Sequence, residues 1–455
     1  MAHGLSLSSP GGRGLLAAAV LGSGMAFLDS TAVNVALPPL QRSFEADLSL
    51  LQWTVDAYLL FLGALLLVGG ALGDRYGRRR VFLIGTVGFA LASLACGIAP
   101  GAGFLIAARA VQGTAAALLV PGSLALMRAA YREEDQGKAI GLWSGLSGVT
   151  SALGPIAGGW LAEAISWRAI FFLNLPLAAA CVFATARFVP ESRDEAANAP
   201  PDWVGAALAT IGLGATVHAL IEGPARGLSV ETVAAALIGA AGLIGFVFIE
   251  RHQRHPMLPL EIFRSRQFSG ANLATMAIYA ALGGAMFVLT LHLQGRLRYS
   301  PLQAGLVLTP VTVLLLLLSP PAAKVAGRIG SRWPMAAGSL IAGFGLVLLS
   351  FLNDQAPSLL AILIAVAVFG LGLSALVAPL TIAVLESVEQ ERSGLASGVN
   401  NAVARIAGLL AVAVLPPLAG LETASTGFRR AMLLCAALCG AGAVVSWASI
   451  RETRH

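Results

Sequence analysis

Again and again along this chain, some twenty residues pass with hardly a charge among them. A helix of about 20 apolar residues is what it takes to cross the hydrocarbon core of a bilayer. Runs of this kind lie near 15–37, 51–73, 81–99, 104–126, 139–162, 168–189, 203–221, 231–250, 268–293, 302–323, 333–352, 359–385, 393–417 and 430–450. The sequence therefore predicts an all-α membrane protein with fourteen transmembrane helices. Charged residues make up 11% of the chain, where soluble proteins carry about 25%. That leaves too little polar surface to coat a particle in water, so lipid is the expected solvent. The first run, from Leu15, reads as a full span and not as a cleaved leader.

The formal charge of +6 does not indicate a nucleic-acid partner, because the basic residues are scattered through short loops. Their distribution reports topology instead. With the N-terminus in the cytoplasm, the inner segments collect most of the 29 basic residues, among them Arg75, Arg78, Arg79, Arg80, Arg128, Lys138, Arg251, Arg254, Lys324 and Arg328. The outer segments hold only Arg42, Arg168, Arg226, Arg296, Arg298, Arg429 and Arg430. Both termini are expected in the cytoplasm of a cell whose inner membrane holds the protein. The four cysteines all fall inside apolar runs and read as buried thiols, with no metal or redox site. No phosphate-binding Gly-x-x-x-x-Gly-Lys-Ser/Thr, His-Glu-x-x-His or Gly-x-Ser-x-Gly occurs, which disfavours an ATP-driven pump or a hydrolase. No enzyme activity and no cofactor are expected.

The chain repeats itself at an offset of 253 residues. Arg75, Gly77 and Arg79 recur as Arg328, Gly330 and Arg332, and Gly141, Leu142, Ser144 and Gly145 recur as Gly394, Leu395, Ser397 and Gly398. The simplest organisation is a cytoplasmic tail (1–13), a six-helix bundle (14–190), an inserted helix pair with its flanking cytoplasmic loops (191–264) and a second six-helix bundle (265–452). Pseudo-two-fold symmetry between the bundles is implied; where transporters are built from parallel repeats, the substrate site lies between the halves, near the midplane.

Four segments carry chemistry. The loop after the second span contains Gly70, Gly73, Asp74, Arg75, Gly77, Arg78, Arg79 and Arg80. Its glycines allow a tight turn, and Asp74 among arginines can form a charge-assisted latch; a solvated basic loop that only sets topology is the plainer alternative. The fourth span holds Arg109 with Gln112 and Gly113 on the same face. A charge inside a span usually serves a pathway or a partner, unless it snorkels to the interface. The fifth span has small residues at Gly145, Gly148, Ala152, Pro155 and Gly159, with Gly154 and Gly158 between them; close helix packing alone would account for that seam. The first span holds Asp29 within Leu28-Asp-Ser-Thr-Ala-Val-Asn-Val-Ala-Leu-Pro38.

These strings resemble the motifs of the major facilitator superfamily, and in particular its fourteen-helix drug:proton antiporter branch. The loop from Gly70 to Arg80 is similar to the superfamily signature, and Arg109-Ala-Val-Gln-Gly113 to the motif near the proton site of its drug antiporters. The segment Gly148 to Gly159 is similar to the motif found in exporters and generally lacking in importers. Trp53-Thr-Val-Asp-Ala-Tyr58, Trp167 to Pro176 and Ser397-Gly-Val-Asn-Asn401 fit the same branch. The resemblance implies a multidrug efflux transporter, of the kind that confers antibiotic resistance, exchanging protons for a small-molecule substrate and functioning as a monomer.

The topology places Asp29 about 12 Å below the outer end of its span, and Asp56 and Arg109 about 8 Å below theirs, at ~1.5 Å per residue. Two acids and one base leave at most one carboxylate unpaired. Asp29 and Asp56 are the expected proton and cation sites, with Arg109 and Gln112 tuning them; if Asp29 pairs with Arg109, Asp56 is the freer carrier. Otherwise Asp56 is an interfacial residue capping its helix. Asn34, Asn400, Asn401 and Arg405 are candidate cavity residues. Arg405 either faces the cavity, where it disfavours dicationic substrates, or binds a helix carbonyl. The expected function is proton-coupled export of small amphipathic or cationic compounds by alternating access. Its rivals are a proton-coupled importer of a small metabolite and a non-transporting membrane sensor.

Overall fold

The computed structural model describes residues 4–194, 200–227, 229–352, 358–421 and 426–451. Among these residues the regular elements are helices, joined by one isolated bridge between Leu5 and Tyr131. In chain order they are α1 (Pro10–Phe44), α2 (Leu48–Tyr76), α3 (Arg78–Gly97), α4 (Ala102–Ala130), α5 (Glu133–Ala164), α6 (Arg168–Phe172) and α7 (Asn174–Phe188). Then follow α8 (Trp203–Arg226), α9 (Val230–His252), α10 (Arg266–Leu291), α11 (Pro301–Ile329), α12 (Arg332–Ser350), α13 (Leu359–Leu385), α14 (Ser393–Ala419) and α15 (Gly427–Ser449).

The sixth crossing is split. Pro176 has no N–H to donate and its ring crowds the carbonyl of Phe172, so the helix stops there and restarts at Asn174. With α6 and α7 taken as one broken crossing, the described residues contain the fourteen long helices that the apolar runs require. Thirteen are apolar enough to span a membrane on composition alone. The remaining one is α5, whose many glycines and serines dilute its hydropathy. Helix starts follow local chemistry: Ser9 accepts from the N–H of Gly12, Asp47 from that of Leu50, and Ser300 and Gln303 close a reciprocal capping box. The tail before α1 is tied to the α4–α5 corner, where Arg132 donates to the Gly4 carbonyl and Leu7 N–H to Asp135.

Two compact units divide the chain: residues 1–213 with 241–257, and residues 214–240 with 258–455. In lipid there is little hydrophobic drive to bring helices together, so close backbone approach at small residues matters more. In the first unit, a methyl group on Gly69 would collide with the Ala117 carbonyl and one on Gly113 with the Tyr58 carbonyl, which fixes α2 against α4. In the second, Gly372 meets the backbone of Ala342, and Gly283 lies against Gly408. The inserted helices α8 and α9 meet through Gly212 and Leu243 and through Gly239 and Thr216. Their outer faces are greasy: Leu237, Ile244 and Phe248 are each more than half exposed, as are Leu91, Phe183, Leu360 and Val444 elsewhere. Such surfaces belong in lipid. Within the spans, Thr54, Thr86, Thr185, Thr275, Ser339 and Ser374 turn their hydroxyls back onto the carbonyl four residues earlier, so these six hydroxyl hydrogens are not bare to hydrocarbon.

Candidate functional site

The first unit buries an acid–base network at the meeting of five helices. Asp29 on α1 and Arg109 on α4 are 0% and 1% exposed, and Arg109 Nη1 donates to Asp29 Oδ2 at 2.5 Å. The same guanidinium donates through Nη1 to Gln112 Oε1 at 2.7 Å and through Nε to the Thr54 carbonyl of α2 at 3.0 Å. The Tyr58 ring lies under it, 4.3 Å from Cζ to centroid. Gln112 Nε2 donates back to Asp29 Oδ1 at 3.0 Å, so its amide bridges acid and base. Asn174, the first residue of α7, donates from Nδ2 to Asp29 Oδ1 at 3.1 Å and to Ser93 Oγ of α3 at 3.0 Å. Ser93 in turn donates to the Phe171 carbonyl at the helix break. Asp29 is thus fully satisfied: one oxygen by the arginine, the other by two amides.

Asp56 is the contrast. It lies well inside α2, nine residues beyond the capping Asp47, and it is 0% exposed. Neither of its carboxylate oxygens has a hydrogen-bond partner among the described residues. The helix-capping alternative for Asp56 is therefore excluded, because Asp47 occupies that position. Asp29, Arg109 and Gln112 come together; Asp56 stands apart from their hydrogen bonds.

The cytoplasmic-loop residues form a different cluster. Gly77 adopts φ +107°, which a side chain would strain, and joins α2 directly to α3. Asp74 pairs with Arg78 at 2.7 Å. The start of α3 is capped from a distance: Glu191 accepts from the backbone N–H groups of Arg79 and Arg80, at 3.0 and 3.1 Å. A carboxylate there answers both the unpaired N–H groups and the positive end of the helix. Ser192 and Asp194 extend the pairing through Arg78 and Asp74 backbone groups, and Arg79 reaches the Ala186 carbonyl. Asp74, Arg75 and Arg78 thus sit in a loop clasped by the segment after α7.

The small-residue seam of α5 resolves into two parts. Gly154, Pro155, Gly158 and Gly159 are buried, and methyl groups on Gly154 and Gly158 would collide with Thr31 and Ala32 of α1. Gly145 is exposed and meets nothing within 4 Å, and Gly148 is only half-buried. Of these seam glycines, Gly154 and Gly158 are the ones that pack α5 on the helix that carries Asp29. Of the cavity candidates, Asn34 donates to its own helix at Ser30. In the second unit, Asn400 donates to Asn272 Oδ1 at 3.2 Å and to Thr275 Oγ1 at 2.7 Å on α10. Asn401 and Arg405 are half-buried.

Sequence reasoning missed Asn174, Ser93 and Glu191. Asn174 stands in the string Trp167 to Pro176, and the proline two residues on was the available signal, since a broken helix exposes polar groups at its new start. Glu191 follows α7 in Pro190-Glu191-Ser192, where nothing local distinguishes a distant helix cap from a solvated acid.

The family model of the Major Facilitator Superfamily matches residues 19–268 and 271–455. The multidrug resistance protein Stp of Mycobacterium tuberculosis (strain CDC 1551 / Oshkosh) is 37% identical over 88% of this chain and 74% of its own length. The probable actinorhodin transporter of Streptomyces coelicolor is 34% identical, over 86% of this chain and 69% of that protein. The puromycin resistance protein pur8 of Streptomyces alboniger is 35% identical, over 89% and 80%. Among solved structures, a peptide transporter of the POT family superposes with a TM-score of 0.72 at 17% identity, covering 99% of this chain and 98% of that one. A D-xylose–proton symporter does so with a TM-score of 0.71 at 16% identity, covering 97% and 98%; likenesses at this identity speak to the fold alone. The fold, the matched segments and the relatives agree, and the chain belongs to the major facilitator superfamily.

Proposed function

We propose that this chain is a proton-coupled exporter of small amphipathic drug-like compounds, working by alternating access as a monomer in a bacterial inner membrane, with both termini in the cytoplasm. The observation that carries the proton step is Asp56. A carboxylate buried without a partner bears the full cost of leaving water. The buried state is therefore the protonated one, and the proton leaves when the site is hydrated. Asp29 is the wrong group for that task, because Arg109, Gln112 and Asn174 already occupy both of its oxygens. It fixes the geometry around α4 while Asp56 carries the proton.

Export as the direction is supported by the relatives, whose names speak of resistance and transport, and by the buried Gly154–Gly159 part of α5. The resemblance of that segment to the exporter motif weighs against an importer, and relatives named for resistance and export weigh against a sensor. The test is ΔpH-driven uptake of a fluorescent amphipath into inverted vesicles carrying the full chain. Asp56→Asn is expected to abolish the gradient-driven component while leaving exchange without a gradient intact. Gradient-driven uptake by Asp56→Asn at the parent rate would refute the assignment.

A further inference from the structure

Three helices of the second unit bring arginines together at one end: Arg266 opens α10, Arg332 opens α12 and Arg451 follows α15. None of these helices contains an aspartate or glutamate. Close packing holds the three ends together. A methyl group on Gly270 of α10 would collide with Ser449 of α15, and Arg266 donates from Nη2 to the Ala448 carbonyl at 3.2 Å. Arg332 lies over the Trp447 ring, 4.1 Å from Cζ to centroid, and Trp333 meets the same ring edge-on at 4.4 Å. The neighbours of Arg266 turn elsewhere, since Ser265 and Gln267 donate to carbonyls at the end of α13. Arg266 and Arg451 are exposed, and neither forms an ion pair among the described residues. The bond to Ala448 uses one N–H of Arg266 and leaves its charge uncompensated. The turn before α10 adds Arg264 and Glu261, which offset each other in charge.

From this charged end an apolar face runs into the membrane. Trp333, Leu340 and Phe344 of α12 are exposed at helical spacing, and so are Trp447 and Val444 of α15. The two faces adjoin, because Gly343 lies against the Ala436 carbonyl and Cys439. Gly440, between them in the turns of α15, carries no side chain and has nothing within 4 Å of where one would begin. From Trp333 to Phe344 the face is about 16 Å long at ~1.5 Å per residue. That is the depth of one leaflet of a hydrocarbon core about 30 Å thick, and indoles sit where such a core meets the headgroups. We infer that this corner of α10, α12 and α15 binds one anionic phospholipid, its headgroup phosphate against Arg266 and Arg451 and an acyl chain along Leu340, Phe344, Gly440 and Val444. The Trp333–Trp447 pair, braced by Arg332, marks the boundary between head and chain. Planar guanidinium groups suit a phosphate, and basic pockets between transmembrane helices on the cytoplasmic side select anionic headgroups; that is the side proposed above for this end. A zwitterionic lipid offers the same chains without the net charge. The inference goes beyond transport and does not rest on its direction or on proton coupling.

Native mass spectrometry of the detergent-purified full chain, mixed with equal amounts of dioleoylphosphatidylglycerol and dioleoylphosphatidylcholine, counts the lipid each molecule retains. The parent is expected to prefer phosphatidylglycerol about twentyfold, roughly fivefold from each of the two arginines. Arg266→Gln and Arg451→Gln should each lower that preference about fivefold, and Arg266→Lys should keep it. Arg187→Gln removes an exposed arginine at the end of α7 in the first unit and should leave it unchanged. Gly440→Leu fills the open face and should weaken retention of both lipids alike. Equal retention of the two lipids by the parent overturns the inference. So does a loss in Arg187→Gln as large as in Arg266→Gln, or undiminished retention in Gly440→Leu. Should Arg266→Gln fail to purify as a single species, Arg451→Gln, beyond the end of α15, decides alone, and an unchanged preference there overturns it.

Discussion

The two units carry the same repeat, yet they handle polar groups inside the membrane in opposite ways. The offset of 253 residues that relates their loops also carries Asp56 onto Thr309 and Arg109 onto Ile362. Thr309 turns its hydroxyl onto its own helix at Gly305, and Ile362 is fully buried. The first unit thus holds a buried acid–base network and an unpaired acid where the second has an ordinary threonine and an apolar core. Conversely, Arg405 corresponds to Ala152, buried in α5. Along that offset charge is placed asymmetrically: Asp29, Asp56 and Arg109 lie within the helices of the first half, and Arg405 lies in the middle of α14 in the second. A fold that needs only apolar packing to stand has specialised each half by a few polar substitutions.

Breaking the network should cost most. Arg109→Met leaves Asp29 charged, buried and short of its main partner, and removing one member of a buried pair costs about 3–5 kcal/mol. The expected readout is a sharp fall in folded yield and melting temperature, partly restored in Arg109→Met/Asp29→Leu, where neither charge remains. Equal yields of the single and double variants would mean that the pair is not the source of the loss. The same position in the second unit, Ile362→Met, conserves volume roughly and should cost less than about 1.5 kcal/mol.

A smaller loss is expected from Asn174→Ala. It removes a hydrogen bond to Asp29 and another to Ser93, and leaving those buried groups short costs on the order of 1–3 kcal/mol. Thermal unfolding of the purified chain checks it, and Asn174→Asp sharpens the point: a second carboxyl beside Asp29 should be worse than alanine. Smaller again is the effect of Glu191→Gln at the start of α3. It keeps the shape but loses the charge at the helix end, at about 0.3–1 kcal/mol, and salt should mask it.

The seam of α5 offers an internal control that spans both ends of this scale. Gly154→Ala pushes a methyl into Thr31 and is expected to destabilise by about 1–3 kcal/mol through overpacking. Gly145→Ala adds a methyl to open space in a helix, which should stabilise slightly, by about 0.4–1 kcal/mol. Identical melting shifts for the two would show that the seam is not divided as described.

Much of this architecture was legible before any coordinates. Fourteen crossings follow from the length of a bilayer and the rarity of charge, and depth and charge balance gathered Asp29, Asp56 and Arg109 in one layer while leaving open which acid the arginine takes. The buried isolation of Asp56 was legible only as an alternative, because helix spacing does not say which way a residue near a span end faces. Asn174 could not be placed, since its role depends on a helix break that brings a seventh-helix amide to a first-helix acid. The division of the α5 seam was hidden as well. Small residues mark every close approach that is possible, and only the neighbouring helix decides which of them is used.

The account stands or falls on the protonation of Asp56, and infrared difference spectroscopy of the purified chain across a pH titration reads it directly. A buried, protonated carboxyl should give a carbonyl band that disappears as the site deprotonates, that is missing from Asp56→Asn, and that persists in Asp29→Asn. A band that survives in Asp56→Asn, or vanishes only with Asp29, would contradict it.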